Sequence, residues 1–589
     1  MLRSSVVNNV LALAATALLL VAPAVTQSTS KSPKLDPAEN FCKRYQHQSA
    51  MTSKTLFIDG GTEWFHDDRL VWDGVITQGI NTYLVTTNMS DSWDWKGNIS
   101  QPVVYKTTEP GRKTGYVPSL NGGAIWPNKN ETHLYFYGGT TNSSLSNFSL
   151  YSTPESDRQT LWKYNIADKF WDPVDYAPGS SDITRAAFGA SVVAPELNKA
   201  YYLGGVIDRG STDKSGDIQA PRFLDGLLEF DFETEAVRNI STTELGNRAR
   251  AYSQIVYIPN YGISNSSAER KGILVSIGGE VKSSQIVDVS GTRRGDPVAM
   301  SDIAIFDIET EKWYVQQAAP HANQFPATRT DHCIVVKSSP DNTTQAIYMY
   351  GGVTWDSNRK AKYIDDVWIL TLPSFRWIKI YEGEGPRYGH TCHVAPKGRQ
   401  MITVGGLGQA YTADVNGSCD WETRSVGIYD LTTLQWGSAY LAHTDEYLLP
   451  VEVAQKINGT QMGEGTITAP LDGWSNPDIR SLFIEIAPPN EKKSNKGAIA
   501  GGIVGGVIGL GLIIAAVYYY YRRYIKQSDR PFIPPPEGQQ WVKPELEGGF
   551  APSPTTEEGP SIIYEIDDGK KVGPVEMDTK NREVPLEMP

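Results

Sequence analysis

The chain is short of most residues that would make its chemistry plain. Cysteine occurs 4 times in 589 residues, too thinly for a disulfide scaffold. Histidine occurs 8 times, which leaves little material for multi-histidine metal centres. Basic residues are outnumbered, 54 Lys and Arg against 67 Asp and Glu, and the formal charge is −13. A nucleic-acid binder needs a basic face that displaces counterions, so that partner class is excluded. No G-x-S-x-G, H-E-x-x-H or Walker pattern occurs. Hydrophobic residues at 40% and charged residues at 21% exclude wholesale disorder. What the chain does have is 54 Gly, 30 Tyr and 15 Trp. Aromatics with glycines favour short strands and tight turns over helices.

Long apolar runs are confined to two places, one near each end. Val10 to Val21 follows Arg3 and precedes Ala22-Pro23-Ala24. A basic start, a short apolar run and small residues at the cleavage site predict a signal peptide over 1–24. Residues 497–521 carry no charge and are long enough to span a bilayer, with Tyr518 to Tyr521 at one end. Lys492, Lys493 and Lys496 on one flank nearly balance Arg522, Arg523 and Lys526 on the other, so the signal peptide sets the orientation. The expectation is a single-pass type I membrane protein of the plasma membrane or secretory pathway, with residues 25–496 outside. Ten Asn-x-Ser/Thr sequons agree: Asn88, Asn98, Asn130, Asn142, Asn147, Asn239, Asn265, Asn342, Asn416 and Asn458 all precede the apolar run. Gly497, Gly501, Gly505 and Gly509 fall on one helix face, the small-residue spacing that would let two such helices form a homodimer. The acidic tail 522–589, with Pro534-Pro535-Pro536, reads as disordered and cytoplasmic.

Between these ends a pattern repeats. A diglycine follows a short apolar strand six times, at Gly60-Gly61, Gly138-Gly139, Gly204-Gly205, Gly278-Gly279, Gly351-Gly352 and Gly405-Gly406. Downstream, two large residues stand seven apart: Tyr164/Trp171, Phe230/Val237, Phe306/Trp313, Leu370/Trp377 and Tyr429/Trp436, with Thr86/Trp93 a looser first case. A constant interval of seven predicts two strands joined by a fixed turn, with the large residue sealing one sheet against the next. Upstream stands Arg-x-x-His or Arg-x-x-Phe, at Arg44/His47, Arg185/Phe188, Arg329/His332 and Arg387/His390. The second and fourth repeats depart from it, with Gly122-Gly123-Ala124 in one and Arg248 and Arg250 out of phase in the other.

These elements resemble the kelch repeat over about residues 41–440. The resemblance implies an all-β fold, a six-bladed β-propeller with one four-stranded blade per repeat. Residues 441–496 then form a C-terminal extension and juxtamembrane stalk, with Val451 to Ile457 a short helix. Signal peptide, kelch propeller, membrane helix and Pro-rich tail in this order also resemble a group of fungal kelch-repeat membrane proteins.

Candidate chemistry is sparse. His47, His332 and His390 stand at the repeat position, where packing accounts for them. His390 and His393 are three apart, on opposite faces of a strand, so they do not share a metal. Four cysteines permit three pairings. Cys392 and Cys419 are the favoured disulfide, Cys42 is the main competitor for either, and Cys333 suits a buried strand. Asp67-Asp68 and Asp365-Asp366 read as turn residues rather than a glycosidase pair. Galactose oxidase resembles the kelch fold and holds copper with Tyr and His, but no convincing histidine pair exists here. No cofactor is expected. Long segments at 62–78, 206–222, 280–300, 353–364 and 407–424 offer loops, with Trp64, Trp72, Trp355 and Trp421 for stacking or docking. The expected function is binding of protein or carbohydrate, an adhesion or scaffold role. The alternative is an enzyme acting on an extracellular carbohydrate or small metabolite.

Overall fold

In a computed structural model the described residues are 38, 40–66, 76–106, 117–141, 160–181, 183–211, 221–246, 248–263, 270–283, 295–356, 358, 360–408, 419–483 and 515–523. Two compact units divide the chain, Met1–Asn490 and Glu491–Pro589. Residues 1–24, 497–514 and 524–589, and with them the signal peptide and most of the apolar run, lie outside the described residues. Residues 515–523 are helical. Among the described residues no helix is long and apolar enough to cross a membrane.

The first unit is built of six four-stranded antiparallel sheets among the described residues. Their first strands are Gln48–Met51, Asn121–Pro127, Ala190–Ala194, Gln254–Ile258, Cys333–Ser338 and Tyr388–Val394. Each of these adjoins the next, and the sixth adjoins the first, so they surround a common axis. The other three strands of each sheet follow in chain order, as expected when short strands are joined by tight turns. This is the propeller-like ring that the kelch resemblance implied.

The interval of seven has a direct cause. Tyr164 faces Trp171, Phe230 faces Val237, Phe306 faces Trp313, Leu370 faces Trp377 and Tyr429 faces Trp436, each pair directly opposite across a third-to-fourth-strand hairpin. Such opposed pairs pack side by side on one face of the sheet. Trp171, Trp313 and Trp377 are buried between sheets. The Trp377 indole donates to the Met300 carbonyl at 2.7 Å. Trp436 is only half-buried, held against Tyr350 and Tyr429. The first repeat breaks the rule. The third strand, Tyr83–Asn88, pairs with Val103–Tyr105, while Trp93 pairs with Tyr440 from the far end of the ring. Thr86 and Trp93 are therefore not a hairpin pair, because the connection there detours to close the ring.

The diglycines join neighbouring sheets. All twelve glycines have positive φ, from 60° to 75° in the first position and 80° to 104° in the second. Gly352 shows the reason. Its N–H donates to the Arg387 carbonyl of the next sheet at 2.8 Å, and a Cβ on Gly351 would collide with that same oxygen. Equivalent bonds run from Gly61 to Leu120, Gly139 to Ala186, Gly205 to Arg250 and Gly279 to Arg329.

These bonds also correct the upstream register. Arg250 occupies the position of Arg329 and Arg387, so it is in phase, and Ser253 stands where His332 and His390 stand. In the third sheet the equivalent residue is Ala186 rather than Arg185. Arg185 instead donates to the Gly210 carbonyl at 2.8 Å.

The favoured disulfide is overturned. Cys42 pairs with Cys419, and Cys333 with Cys392. Cys333 and Cys392 lie on adjoining first strands, with Cα atoms 5.7 Å apart. Cys419 precedes Asp420, whose N–H donates to the Cys42 carbonyl at 3.0 Å. One bridge therefore ties two successive sheets, and the other ties the two ends of the ring.

Residues 441–483 pack against the ring rather than standing off it. Two short helices, α1 (Val451–Lys456) and α2 (Pro477–Phe483), mark this strap. Val453 and Ile457 join Tyr348 and Tyr429 in one core cluster. Ile479 and Leu482 join Ile258, Ile273 and Trp377 in another.

The diglycine geometry predicts a contrast. Gly351→Ala combines a disfavoured φ with backbone overlap and should cost at least roughly 1–3 kcal/mol. Gly437→Ala meets nothing within 4 Å and should stay within about 0.5 kcal/mol of the parent. Urea unfolding of the two variants measures this, and equal midpoints would remove the diglycines from the list of structural constraints. Peptide mapping without reduction should likewise return the 42–419 and 333–392 pairs.

Candidate functional site

The ring encloses an axial cavity of about 380 Å³, within the range of small-molecule sites. Its walls are the six first strands and the residues just before them. Those preceding residues form a belt. Gln46, Gly122, Phe188, Tyr252, Asp331 and Gly389 all have left-handed backbones, with φ between 54° and 66°. Their amides are bonded around the axis. Gly122 N–H donates to Gln46 O, Phe188 to Gly122, Tyr252 to Phe188 and Gly389 to Asp331 at 2.8–2.9 Å, and Gln46 donates to Gly389 at 3.3 Å. A left-handed conformation is unusual for bulky residues, yet Phe188 and Tyr252 adopt it and stack with ring centres 5.3 Å apart. A Cβ on Gly122 would strike the Phe188 ring, and one on Gly389 the Tyr45 ring.

Behind the belt stand buried arginines. Arg329 donates to the Gly351 carbonyl at 3.0 Å and pairs with Asp366. Arg387 donates to the Gly405 carbonyl at 2.7 Å and pairs with Asp420 at 2.8 Å and Glu422 at 3.0 Å. Arg44 faces Glu63 at 3.4 Å and donates to Gln101 at 3.1 Å. These cations act on the histidines beside them. Burial and then Arg44 hold His47 well below the usual imidazole range, as burial and Arg329 do for His332. His390 is pushed down to about 3 by burial and Arg387. His393, which keeps some surface toward the cavity, is lowered to about 4 by burial. Burial raises Glu63 and Glu422 to about 7 against the opposing arginines.

Where the sixth sheet meets the first, four side chains form a chain. His47 Nε2 lies 3.1 Å from Thr391 Oγ1, which lies 2.5 Å from Ser49 Oγ, which lies 2.7 Å from His393 Nε2. The sequence treated His393 only as a failed partner of His390. The available signal was alternation: Thr391 and His393, two apart on one strand, share the face that Ser49 approaches.

The remaining candidates divide clearly. Trp64 is fully buried. Trp355 is half-buried, Trp421 is 65% exposed and meets Trp95 edge to face, and Trp72 lies outside the described residues. Several segments expected as loops carry short strands: Thr62–His66, Val206–Ile207, Glu280–Ser283 and Val353–Trp355 each belong to a small second sheet beyond a diglycine. Asp365 accepts from the Gly385 amide at 2.8 Å, and Asp366 holds Arg329. Asp67-Asp68 lies outside the described residues. The described sequons, Asn88, Asn98, Asn130, Asn239, Asn342 and Asn458, are all exposed; Asn142, Asn147, Asn265 and Asn416 lie outside the described residues. Among the described residues, Cys333, His390 and Cys392 bring potential metal-ligand atoms within 4.8 Å of one another. Their two thiols are consumed by the disulfide.

A family model, the Attractin/LZTR1 β-propeller, matches residues 134–450, more than half of the chain. The chain belongs to this β-propeller family. It is also similar to a kelch repeat-containing protein of Arthroderma benhamiae, at 27% identity over 546 residues, covering 82% of this chain and 75% of that one. A solved structure titled "Structure of YjhT" covers 68% of this chain and 99% of its own, at 14% identity and a TM-score of 0.42. A kelch-repeat propeller is thus established.

The titration of the propeller follows from its histidines. A depressed imidazole contributes stability that is complete above its unfolded value of 6.5 and is lost as pH falls toward 4. Glu63 and Glu422 act oppositely, losing stability as pH rises from 4.5 through about 7. Six lowered histidines outnumber the four raised carboxylates, Asp59, Glu63, Asp365 and Glu422, and predict a melting temperature that falls on acidification from pH 6.5 to 4. In His393→Gln this acid-side slope should be shallower; an identical slope would show that His393 is not held neutral by the fold.

Proposed function

We propose that the protein is a membrane-anchored interaction module whose six-bladed propeller docks a protein partner. The observation that carries this reading is the tier of short sheets beyond the diglycines. It gives one end of a rigid ring a built, variable surface, and binding residues commonly sit on such connections. Family membership supports it, since kelch propellers typically serve protein interaction. A carbohydrate is the second ligand class, favoured by the exposed Trp421, since an exposed indole can stack on a sugar ring.

Anchorage rests on the sequence. Residues 1–24 direct secretion, 497–521 span the membrane, and 522–589 remain in the cytosol. The exposed sequons carry glycans, and the series from Gly497 to Gly509 pairs two chains. The setting is the plasma membrane or secretory pathway. Enzymatic turnover of a carbohydrate or small metabolite is the reading least supported, because among the described residues no carboxylate is bonded to His393.

Two measurements test this. Glycosidase treatment should lower the apparent mass, and protease added to intact cells should spare a tail epitope; loss of that epitope reverses the topology. Proximity labelling from the full-length chain should recover a partner set that shrinks when 353–364 is replaced by a Gly/Ser linker of equal length. An unchanged set would move docking away from this end.

A further inference from the structure

The axial cavity has a chemical character distinct from the docking surface. Thirty-one residues line it, and Asp331 is the only one with a carboxylate; none carries an ammonium or guanidinium. That carboxylate is engaged by the Thr330 hydroxyl at 2.7 Å. The nearest strong cations lie behind the wall: Arg44, Arg329 and Arg387 are matched by Glu63, Asp366, Asp420 and Glu422, and Arg250 donates to the Ser276 hydroxyl at 3.4 Å. The histidines that line it are neutral. An anionic ligand would find no counter-ion there, and a cationic one would meet a single carboxylate with the arginines close behind the wall, so desolvating a charge there is costly.

The polar groups that line the cavity are hydroxyls, neutral imidazoles, the carboxamides of Gln46, Gln48 and Gln254, and the one carboxylate of Asp331. Each hydroxyl both donates and accepts, and a neutral imidazole does one on each nitrogen. Ser49, Thr391, His47 and His393 form a connected chain of such groups. Between these polar groups the wall is apolar, with Ile125, Val193 and Val256.

We propose that the axial cavity binds a small, uncharged polyhydroxyl compound, of the size of a monosaccharide or cyclitol. Such a ligand presents groups that donate and accept at several points, with C–H faces between them for the apolar wall. The site does not rest on the protein-docking reading, and either can fail without the other.

Calorimetry on the purified full-length chain tests it, with D-glucose, D-mannose, D-galactose and myo-inositol as probes and D-glucuronate and D-glucosamine as charged counterparts. At least one neutral probe should bind saturably with one site per chain. The charged counterparts should bind about tenfold more weakly or not at all, as for one unmatched polar interaction. Thr391→Val should weaken the neutral probe by about tenfold. Ser49→Ala should do so in a folded protein even if Thr391→Val disturbs the ring. Leu471→Ala, at an exposed site on the outer surface, should leave the affinity unchanged. The proposal is overturned if no neutral probe saturates, if glucuronate binds as well, or if both cavity variants bind like the parent.

Discussion

The structure depends on a series of backbone hydrogen bonds around the axis, five of them linking the six residues of the belt. Six residues take a left-handed conformation just before the first strand of each sheet, and their amides and carbonyls point around the ring rather than along a strand. Each such residue other than glycine costs roughly 1–3 kcal/mol in strain. The strain persists because it is over-determined. The same turn places the carbonyl of a residue two positions earlier against the diglycine of the preceding sheet. Belt and diglycine are thus two ends of one constraint, and neither can shift without breaking bonds to two neighbouring sheets.

A ring of this kind has one weak point, where the last sheet meets the first. The other junctions are crossed by the continuous chain; this one is not. The structure concentrates devices there: the Cys42–Cys419 bridge, which links residues 377 apart in sequence, the pairing of Trp93 with Tyr440, and the hydroxyl–imidazole chain from His47 to His393. Linking distant residues removes the most freedom from the unfolded chain. The strap at 441–483 supports the fourth to sixth sheets from outside and brings the chain end back over their hydrophobic edges.

What was legible in the sequence was local. The diglycines and the interval of seven report turns completed within about ten residues, so residue type alone reveals them. The belt was hidden because its six positions hold Gln, Gly, Phe, Tyr, Asp and Gly; what they share is a backbone conformation. Without it, the phase of Arg250 and the displacement of Arg185 could not be read. The disulfides depended on which strands meet across the ring, and the contact of Ser49 with His393 spans 344 residues. No spacing rule reaches that far.

The same geometry accounts for the quietness of the cavity. An arginine at the junction bridges a diglycine carbonyl to an acidic residue of its own sheet, as Arg329 and Arg387 do. That role fixes the guanidinium behind the wall, a few residues before the belt, and puts its charge next to the histidine facing the axis. The histidine is then neutral for two reasons, burial and the adjacent cation. The charges that hold the sheets together are thereby spent on the junctions. What remains at the axis is hydroxyl, imidazole, carboxamide and hydrocarbon with the one carboxylate of Asp331, while the insertions lie on the outer surface. A ring built in this way separates two kinds of recognition by construction: a shape-fixed interior nearly without charge, and an exterior whose short sheets can change in sequence without disturbing the belt.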